Sequence, residues 1–375
     1  MPFAWIASEL TTGNIIADLP DLQVDSVKSQ IASYQTTTAV LPLSSAPENW
    51  LRATLYGATV YSAIDTDTNV PVWSGFITKR PRNLGNTLSL SLSTIEGYFD
   101  RRFVGDENYN SVGQNLIVQD LVNTYAAVGS NGGIPIRVQI VTAGNGAVRV
   151  RNYTDISDKT LYSALTELYG VDGGPEWTVT TEWQHNPERM TFVLQVGDRI
   201  GNAAMPGLAP NATFEAPSLA VQKAELTEDY SSANAGNDFM ATSTASGDTR
   251  PQSAHVVVPD PDRPTFERRF TPSTSITSVP TLNDHAIAMA ALQGAGSNTL
   301  ALQAVVRDGV RLGSDWFIGD DLGYSIGGTG QDGKESALAF PGGYKGTARA
   351  VGWQLDFSEG QRDLITPIWA TPEAD

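Results

Sequence analysis

The sequence contains no cysteine and only three histidines, and both scarcities exclude kinds of site. Without cysteine the chain has no disulfide framework, no thiolate metal site and no cysteine nucleophile. His185, His255 and His285 lie far apart and form no H-x-x-x-H or H-E-x-x-H pattern, so the sequence does not predict a zinc site.

Basic residues are in short supply, with 24 Lys and Arg against 41 Asp and Glu and a formal net charge of −17. Such a surface repels polyphosphates at long range, whereas nucleic-acid-binding proteins usually carry a basic stripe. The basic pairs Lys79-Arg80, Arg101-Arg102 and Arg268-Arg269 are short and scattered, which favours solvated strand ends over a binding patch. We therefore expect no specific binding of DNA.

Long apolar runs are missing too, and no stretch is long enough to span a bilayer as a helix. The first residues, MPFAWIASEL, have neither a basic leader nor a long apolar segment, so the sequence predicts no signal peptide. We expect no stable insertion into a membrane.

The stretch IGGTGQDGKES, residues 326–336, matches two phosphate-binding patterns. The matching residues are Gly328, Gly333 and Lys334 for G-x-x-x-x-G-K, and Gly328, Gly330 and Gly333 for G-x-G-x-x-G. Both patterns need a helix directly after the loop, because its free amides hold the phosphates. Here Pro341 and two glycines follow, and Glu335 stands where a Ser or Thr would hold magnesium. The sequence therefore predicts a hairpin tip and no nucleotide site.

Residues 1–102 are predicted to form a β domain. TLSLSLS, residues 87–93, alternates Leu with Ser, which is typical of a strand with one buried face. The runs WLRATLYGATVYSAID and VPVWSGFITKRPR are also rich in strand-forming residues. DTDTNVP, between them, predicts a hairpin tip.

The same DTDTNVP turn resembles the opening of a calcium loop, through Asp65, Asp67 and Asn69. Val70, however, stands where the sharp turn requires glycine, and Phe76 stands where a glutamate would close the loop. We predict no calcium site.

Residues 103–200 are predicted to form an inserted α/β domain. QNLIVQDLVNTYAAVG has helical spacing and stops at Gly129. SDKTLYSALTELYG predicts a second helix, capped by Ser157 or Asp158 and closed by Gly170 with positive φ. PEWTVTTEW and MTFVLQVGDRI then predict a β-hairpin.

The following region mixes connectors with short strands. Strands within 201–255 are expected to complete the first β domain, and AGNDFMATSTA and QSAHVVV predict one strand pair. Residues 256–280 are rich in Pro, Ser and Thr and are predicted to be a connector.

Residues 281–375 are predicted to form a helix and a second β domain. The helix, in TLNDHAIAMAALQG, would be capped by Thr281 or Asn283 and ended by Gly294. NTLALQAVVRDG predicts a strand, and TARAVGWQLDFSEGQRDLITPIW predicts a closing hairpin that turns at Glu359-Gly360.

Paired carboxylates are the simplest candidate catalytic groups in this sequence, because a glycoside hydrolase needs two of them across a cleft. Glu96 with Asp100, or Asp320 with Asp321, could be such a pair. Because the chain has 41 acidic residues, a pair carries little information, so we interpret these side chains as solvated surface and predict no enzyme. A phage-associated cell-wall glycoside hydrolase, or a carbohydrate- or receptor-binding protein, is the alternative, with 103–200 as the binding unit.

The order of these units resembles that of a known family. Its elements are the strands VWSGFITKRPR and LSLSLSTIEGYFDRRFV, the inserted unit with its hairpin, a helix before LALQAVVRDGVRLGSDWFIGDDL, and the closing hairpin. This arrangement is similar to the tail-hub proteins of long-tailed bacteriophages, also called minor tail or baseplate hub proteins. The resemblance covers nearly the whole chain and is greatest to the versions in phages of actinobacteria. It includes the W-x-G-x-I strand and the step Gly319-Asp320.

The resemblance implies a mainly β fold with an α+β insertion, made of two tube-type β-barrel domains and a small α/β insertion domain. It implies a homotrimeric virion protein of the tail tip, made in the host cytoplasm, that joins a six-fold tail tube to a three-fold tip around a channel for DNA. Its implied partners are distal tail or tail-tube ring proteins, other minor tail proteins, tip or fibre proteins and the tape measure protein. It implies no catalytic residue, cofactor or metal.

The net charge adds an expectation about the channel. Three chains would carry 3 × (−17) = −51. A protein that makes about 6–10 cationic contacts with phosphates holds DNA tightly at low salt. We therefore expect an acidic channel wall along which DNA slides.

Overall fold

The computed structural model describes residues 3–129, 132–171, 173–205, 207–244, 249–272, 276, 278–306, 310–329, 333–357 and 362–370. Within these ranges the chain is mostly β-structure. None of the helices in the described ranges has the length and apolarity that a bilayer crossing requires.

The elements follow one another in three groups. The first is β1 Phe3–Glu9, β2 Ile15–Asp18, β3 Gln23–Val24, β4 Ser26–Gln30, β5 Thr36–Pro42, α1 Trp50–Ala53, β6 Thr59–Asp65, β7 Val70–Lys79 and β8 Thr87–Thr94. The second is β9 Glu107–Gly113, α2 Gln114–Tyr125, β10 Ile136–Ile140, β11 Val148–Tyr153, α3 Leu161–Tyr169, β12 Glu176–His185 and β13 Glu188–Gly197. The third is β14 Thr213–Ala216, β15 Val221–Asp229, β16 Asp238–Ala241, β17 Val256–Val257, β18 Glu267–Phe270, α4 Val279–Gln293, β19 Ser297–Val305, β20 Asp321–Ile326, β21 Tyr344–Asp356 and β22 Leu364–Trp369.

The chain forms two compact units. Unit 1 comprises Met1–Lys223 and Leu302–Trp369, and unit 2 comprises Ala224–Ala301 with Ala370–Asp375. The chain therefore leaves unit 1 within β15 and returns to it within β19.

The first sheet of unit 1 has seven strands in the order β2-β1-β6-β7-β8-β5-β3. The strand predicted from TLSLSLS is confirmed as β8, in which Leu88, Leu90 and Leu92 are buried whereas Ser89 is exposed. Alternate side chains of a strand point to opposite faces, so the leucines form the buried face of this sheet. The tip predicted from DTDTNVP is also confirmed, because the side chain of Asp65 accepts the N–H of Asp67 at 2.8 Å in the turn between β6 and β7.

The strand predicted over WLRATLYGATVYSAID is correct only in its second half. Its first four residues form the short helix α1, and β6 begins at Thr59. Two hydroxyls explain the difference, because Thr54 donates to the carbonyl of Trp50 at 2.8 Å and Thr59 donates to that of Arg52 at 2.9 Å. Such local side-chain hydrogen bonds to the backbone compete with strand formation.

The inserted unit contains a three-stranded sheet, β10-β13-β12, and a two-stranded ribbon, β11-β9. The predicted hairpin is confirmed as β12 and β13, and both predicted helices are present as α2 and α3. Their ends differ, since α2 stops at Tyr125 and the cap of α3 is Thr160, whose hydroxyl accepts the N–H of Ser163 at 3.1 Å. Asp158 lies in the preceding turn with φ 46°, and Gly170 has φ −73°, so the predicted cap and the positive φ are wrong.

The second sheet of unit 1 contains β14, β20, β21, β22, the last residues of β19 and the first residues of β15, in that order. The closing hairpin is confirmed by the antiparallel pairing of β21 with β22, and its predicted turn at Glu359-Gly360 lies outside the described residues. No strand of 201–255 in the described ranges completes the first sheet, because β14 pairs with β20. Conversely, β4 from the first domain pairs with β21 and places Val27 opposite Leu355, both of them buried.

Unit 2 contains a three-stranded sheet, β17-β16-β18, against which α4 packs. Ala241 of β16 and Leu282 and Ala286 of α4 form its buried core. The predicted strand pair is confirmed as β16 and β17. Residues 256–280 are not simply a connector, because they contain β17 and β18, and α4 belongs with these strands and not with the second sheet.

The start of α4 also differs from the prediction, while its end at Gly294 is confirmed. The cap is Ser278, whose hydroxyl accepts the N–H of Thr281 at 3.4 Å. Asn283 cannot cap the helix, because its side chain accepts the N–H of Ala254 at 2.9 Å.

Candidate functional site

The two sheets of unit 1 are joined where β3 passes into β4. Val24 of β3 pairs with Ala39 of the first sheet, and two residues later Ser26 begins the pairing of β4 with the second sheet. The hydroxyl of Thr37 donates to the carbonyl of Ser26 at 2.6 Å, and the indole N–H of Trp73 donates to that of Lys28 at 3.1 Å. One continuous segment thus belongs to both sheets and holds them together.

The buried faces of the two sheets meet in an aromatic cluster. The ring of Phe357, which follows β21, lies 5.4 Å from Phe3 and 5.4 Å from Trp5, and Trp5 lies 6.0 Å from Trp73. Edge-to-face pairs of this kind contribute about 0.5–1.5 kcal/mol each beyond burial. Because strand residues alternate, the opposite face of each sheet points away from this cluster.

On the outer side of the first sheet, the strands β3, β5 and β8 present a face with no charged residue of their own among the described residues, and we call it the hydroxyl face. Its residues are Gln23, Thr36, Thr38, Val40, Pro42, Thr87, Ser89 and Ser91. Thr38 lies opposite Ser91, and Val40 lies opposite Ser89. Their short side chains leave a polar surface with one cation at its border, Lys79 of β7, which pairs with Ser91 and therefore lies on the same side of the sheet.

On the outer side of the second sheet, β4, β22 and the adjoining parts of β19 and β21 present an almost neutral face, and we call it the amide face. Its residues are Ser26, Lys28, Gln303, Gln354, Asp356, Leu364 and Thr366. Gln303 and Gln354 donate their side-chain amides to Asp356 at 3.3 and 2.5 Å. Within this face one lysine balances one aspartate, so neither the hydroxyl face nor the amide face has the acidic character that the net charge led us to expect of a channel wall.

A largely buried ion pair attaches the inserted unit to the second sheet. Arg349 of β21 donates to both carboxylate oxygens of Glu176 on β12 at 2.6 and 2.5 Å, and their side chains are only 19% and 14% exposed. Arg349 also donates to the carbonyls of Gly319 and Ile200 at 3.1 and 2.9 Å. Bidentate pairs with additional hydrogen bonds are the strong kind, so this contact positions β12 on β21.

The candidate pair Asp320 and Asp321 lies close to this contact between the inserted unit and the second sheet. Asp320 is 2% exposed and accepts the N–H groups of Asn202 and Phe317 at 2.6 and 2.8 Å. Asp321 accepts Arg199 at 2.5 Å and the N–H of Ala204 at 2.7 Å. These carboxylates hold loops in place, so our interpretation of Asp320 as solvated surface is wrong.

Glu96 and Asp100, the other candidate pair, lie in different surroundings. Glu96 is 3% exposed and accepts the N–H of Val179 on β12 at 3.0 Å. Burial raises the pKa of Glu96 above its ordinary value, against hydrogen bonds that lower it. Asp100 is exposed and accepts the hydroxyl of Thr160 at 3.1 Å. Glu96 is therefore also not solvated surface.

We expect Glu96→Gln to stabilise unit 1 at pH 8 and to lose that advantage in acid. Because the folded-state pKa is raised, ionised Glu96 destabilises the fold at pH values above it. As the pH falls through the folded value towards the unfolded one, Glu96 takes up its proton and the penalty disappears. Thermal melts of both proteins between pH 8 and pH 5 test this, and a constant difference in Tm would contradict it.

The remaining candidate residues have structural surroundings. The glycine-rich stretch connects the antiparallel strands β20 and β21, as predicted for a hairpin, although Gly330 lies outside the described residues. His255 contacts Asp238 at 2.7 Å, and His185 and His285 are exposed. Within the described ranges, no group of three or more His, Asp or Glu could hold a metal ion.

The basic pairs do not gather into one patch. Arg80 donates to the carbonyl of Leu51 at 2.9 Å and lies over the ring of Tyr56 at 5.4 Å. Arg102 donates to the carbonyl of Tyr125 at 2.5 Å, and Arg268 donates to that of Ser232 at 3.0 Å. Each binds locally, which agrees with the interpretation as strand ends.

Comparisons with known proteins identify the fold. No family model and no curated protein matches the chain. The tail protein of Neisseria meningitidis MC58 superimposes with a TM-score of 0.54 at 15% identity, over 98% of this chain and 96% of that one. The 43 kDa tail protein of prophage MuSo2 from Shewanella oneidensis gives 0.53 at 10% identity, over 98% of both. A chain of the half-lidded PdpA–VgrG complex of Francisella gives 0.50 at 9% identity, over 97% of this chain and 57% of that one. The chain thus has a phage-tail-protein fold, mainly β with a small α/β insertion.

Proposed function

We propose that this chain is a structural tail protein of a long-tailed bacteriophage and forms a homotrimeric hub at the tail tip. The observation that carries the proposal is the joined pair of sheets in unit 1, which present the hydroxyl face and the amide face on their outer sides. Three chains would supply six such sheets, matching a six-fold tube on one side and a three-fold tip on the other. The shared fold with phage tail proteins supports this role.

The hydroxyl and amide faces would line the channel for DNA. Affinity for DNA comes chiefly from cations that replace counterions on phosphates. The hydroxyl face carries no cation of its own and borders one, Lys79, while Lys28 on the amide face is matched by Asp356. DNA would therefore pass because these two faces are nearly neutral and do not hold it. The sequence had led us to expect repulsion by an acidic wall instead.

The same role defines the partners. A ring closes through heterologous contacts, so each chain needs two different interfaces with its neighbours. Beyond the ring, the partners would be the distal tail or tail-tube ring, other minor tail proteins, tip or fibre proteins and the tape measure protein. An origin among phages of actinobacteria belongs to the same proposal and rests on the sequence resemblance.

The solution mass of the purified chain tests the trimer. Light scattering behind size-exclusion chromatography should give three times the monomer mass at micromolar concentration, with three-fold rings in negative-stain images. A monomer, or a dimer with two-fold symmetry, would contradict the proposal.

A further inference from the structure

A cavity of about 410 Å³ lies inside unit 1 between β7, β12 and the segment that leads into β20. Much of its wall is apolar. Its apolar lining includes Val72, Trp73, Phe317, Ile318 and Trp353. A cavity of this size and lining is typical of small-molecule sites.

The charged groups that line the cavity are all acidic. They are Glu96, Glu182 and Asp320, and among the described residues no Lys, Arg or His lines the cavity. Glu182 pairs with Arg137 at 2.8 Å, and Asp320 is occupied by two backbone N–H groups. Glu96 has only neutral partners, because Val179 and Thr94 supply the hydrogen bonds that lower its pKa and no cation contributes. A buried carboxylate without a cation is costly unless a ligand supplies one.

A second polar group in the same wall lacks a partner. Thr178 is 1% exposed, and its hydroxyl oxygen is buried without a hydrogen bond within the described structure. It immediately precedes Val179, whose N–H binds Glu96. Buried polar atoms are nearly always satisfied in folded proteins, so the hydroxyl and the carboxylate together indicate a missing donor.

We propose that this cavity binds an organic ammonium group carried on an apolar stem. The ammonium group has three donors and no acceptor, which suits the carboxylate of Glu96 and the hydroxyl of Thr178. Trp73 and Trp353 receive the stem, and their rings attract a cation that lies over them. A bare metal ion does not fit, since apolar walls offer it few oxygen ligands.

Two sources share this chemistry, a free aliphatic amine and the lysine side chain of a partner protein. A further probe separates the two sources. Nα-acetyl-lysine amide keeps the charged side chain and carries a peptide backbone that a simple amine lacks. The inference does not depend on the trimer, so a monomeric protein would still be expected to bind the amine.

Titration of the full chain with butylammonium at pH 8, followed by tryptophan fluorescence and calorimetry, tests the inference. We expect saturable binding, and binding at least about tenfold weaker for butanol, which has the same apolar stem without the charge. Equal binding of the two, or no saturable signal from butylammonium, would overturn the inference. Nα-acetyl-norleucine amide is the uncharged counterpart of Nα-acetyl-lysine amide. If the lysine compound binds more tightly than the norleucine compound, the result supports a lysine side chain of a partner protein. If the two bind equally, the result supports a free amine.

Glu96→Gln keeps the acceptor for Val179 and should weaken butylammonium at least about tenfold without changing butanol binding. Glu182→Gln is the matched control, because it removes a carboxylate that already has Arg137, and it should leave the affinity within about twofold. Circular dichroism establishes that both variants are folded. As a second measurement on the unaltered chain, affinity should fall as the pH is lowered and Glu96 takes up its proton. Loss of affinity in the control alone, or an affinity independent of pH, would overturn the assignment to Glu96.

Discussion

Replacing Arg349 with methionine is expected to lower the free energy of unfolding by about 3–5 kcal/mol. The substitution leaves Glu176 as an unpaired carboxylate in a largely buried joint and removes the donors to the carbonyls of Gly319 and Ile200. Urea denaturation followed by tryptophan fluorescence measures the change, since Trp177 follows Glu176 directly and is fully buried.

The control for this experiment is Arg137→Met, which breaks an ion pair of the same inserted unit with side chains 54% and 45% exposed. Exposed pairs contribute about 0–1 kcal/mol, so its effect should be small. The double variant Arg349→Met with Glu176→Leu should recover much of the loss, because it removes the stranded charge. Equal effects of the two arginine substitutions would contradict the role given to this joint.

Arginines added to the hydroxyl and amide faces are expected to make these surfaces bind DNA. Thr38→Arg, Ser89→Arg and Gln354→Arg together add nine cations to a trimer, three in each chain. About 6–10 phosphate contacts change DNA affinity by roughly 10³–10⁵ between 50 and 200 mM salt. We therefore expect strong, salt-dependent binding of DNA by the purified variant, and virions that assemble but eject their DNA slowly. Fluorescence anisotropy over a salt series and an ejection assay measure the two effects.

The matched variant carries the same three arginines on the β9–β11 ribbon, at the exposed positions Asn108, Val150 and Asn152. It has the same net charge but places it outside the proposed channel. Ejection from virions with this variant should proceed normally. If both variants slow ejection equally, the effect comes from charge alone and the hydroxyl and amide faces do not line the channel.

Local pattern predicted much of the fold. The alternation of Leu88, Leu90 and Leu92 with serines identified β8, and the hairpins β12–β13 and β21–β22 followed from strand runs bounded by turns. These features depend on residues close together in sequence, where period and turn chemistry decide the outcome.

Pairing between distant segments could not be predicted in the same way. Nothing in Val24-Asp25-Ser26 indicates that the chain changes sheets there, because the change depends on β21, which lies more than three hundred residues later in the chain. Residues 256–280 looked like a connector because β17 and β18 are short, with bounds Val256–Val257 and Glu267–Phe270. Their pairing with β16 and the packing of α4 override a weak local preference for strand.

The candidate site could be predicted from the sequence only in part. The hydroxyl face can be inferred from TLSLSLS and TTTAVLP, where Ser and Thr alternate with or precede apolar residues. The amide face could not, because Gln303 and Gln354 meet at Asp356 only through strand order. Glu96 offered one neglected signal, its position within the otherwise apolar stretch IEGYF, which indicates burial.

The symmetry and lining of the assembled tail tip test the central claim most directly. Cryo-electron microscopy of virions should show three copies of this chain around the axis, with Ser89 and Gln354 facing the channel. A tip in which the chain occurs without three-fold symmetry, or in which these two residues face away from the channel, would contradict the account.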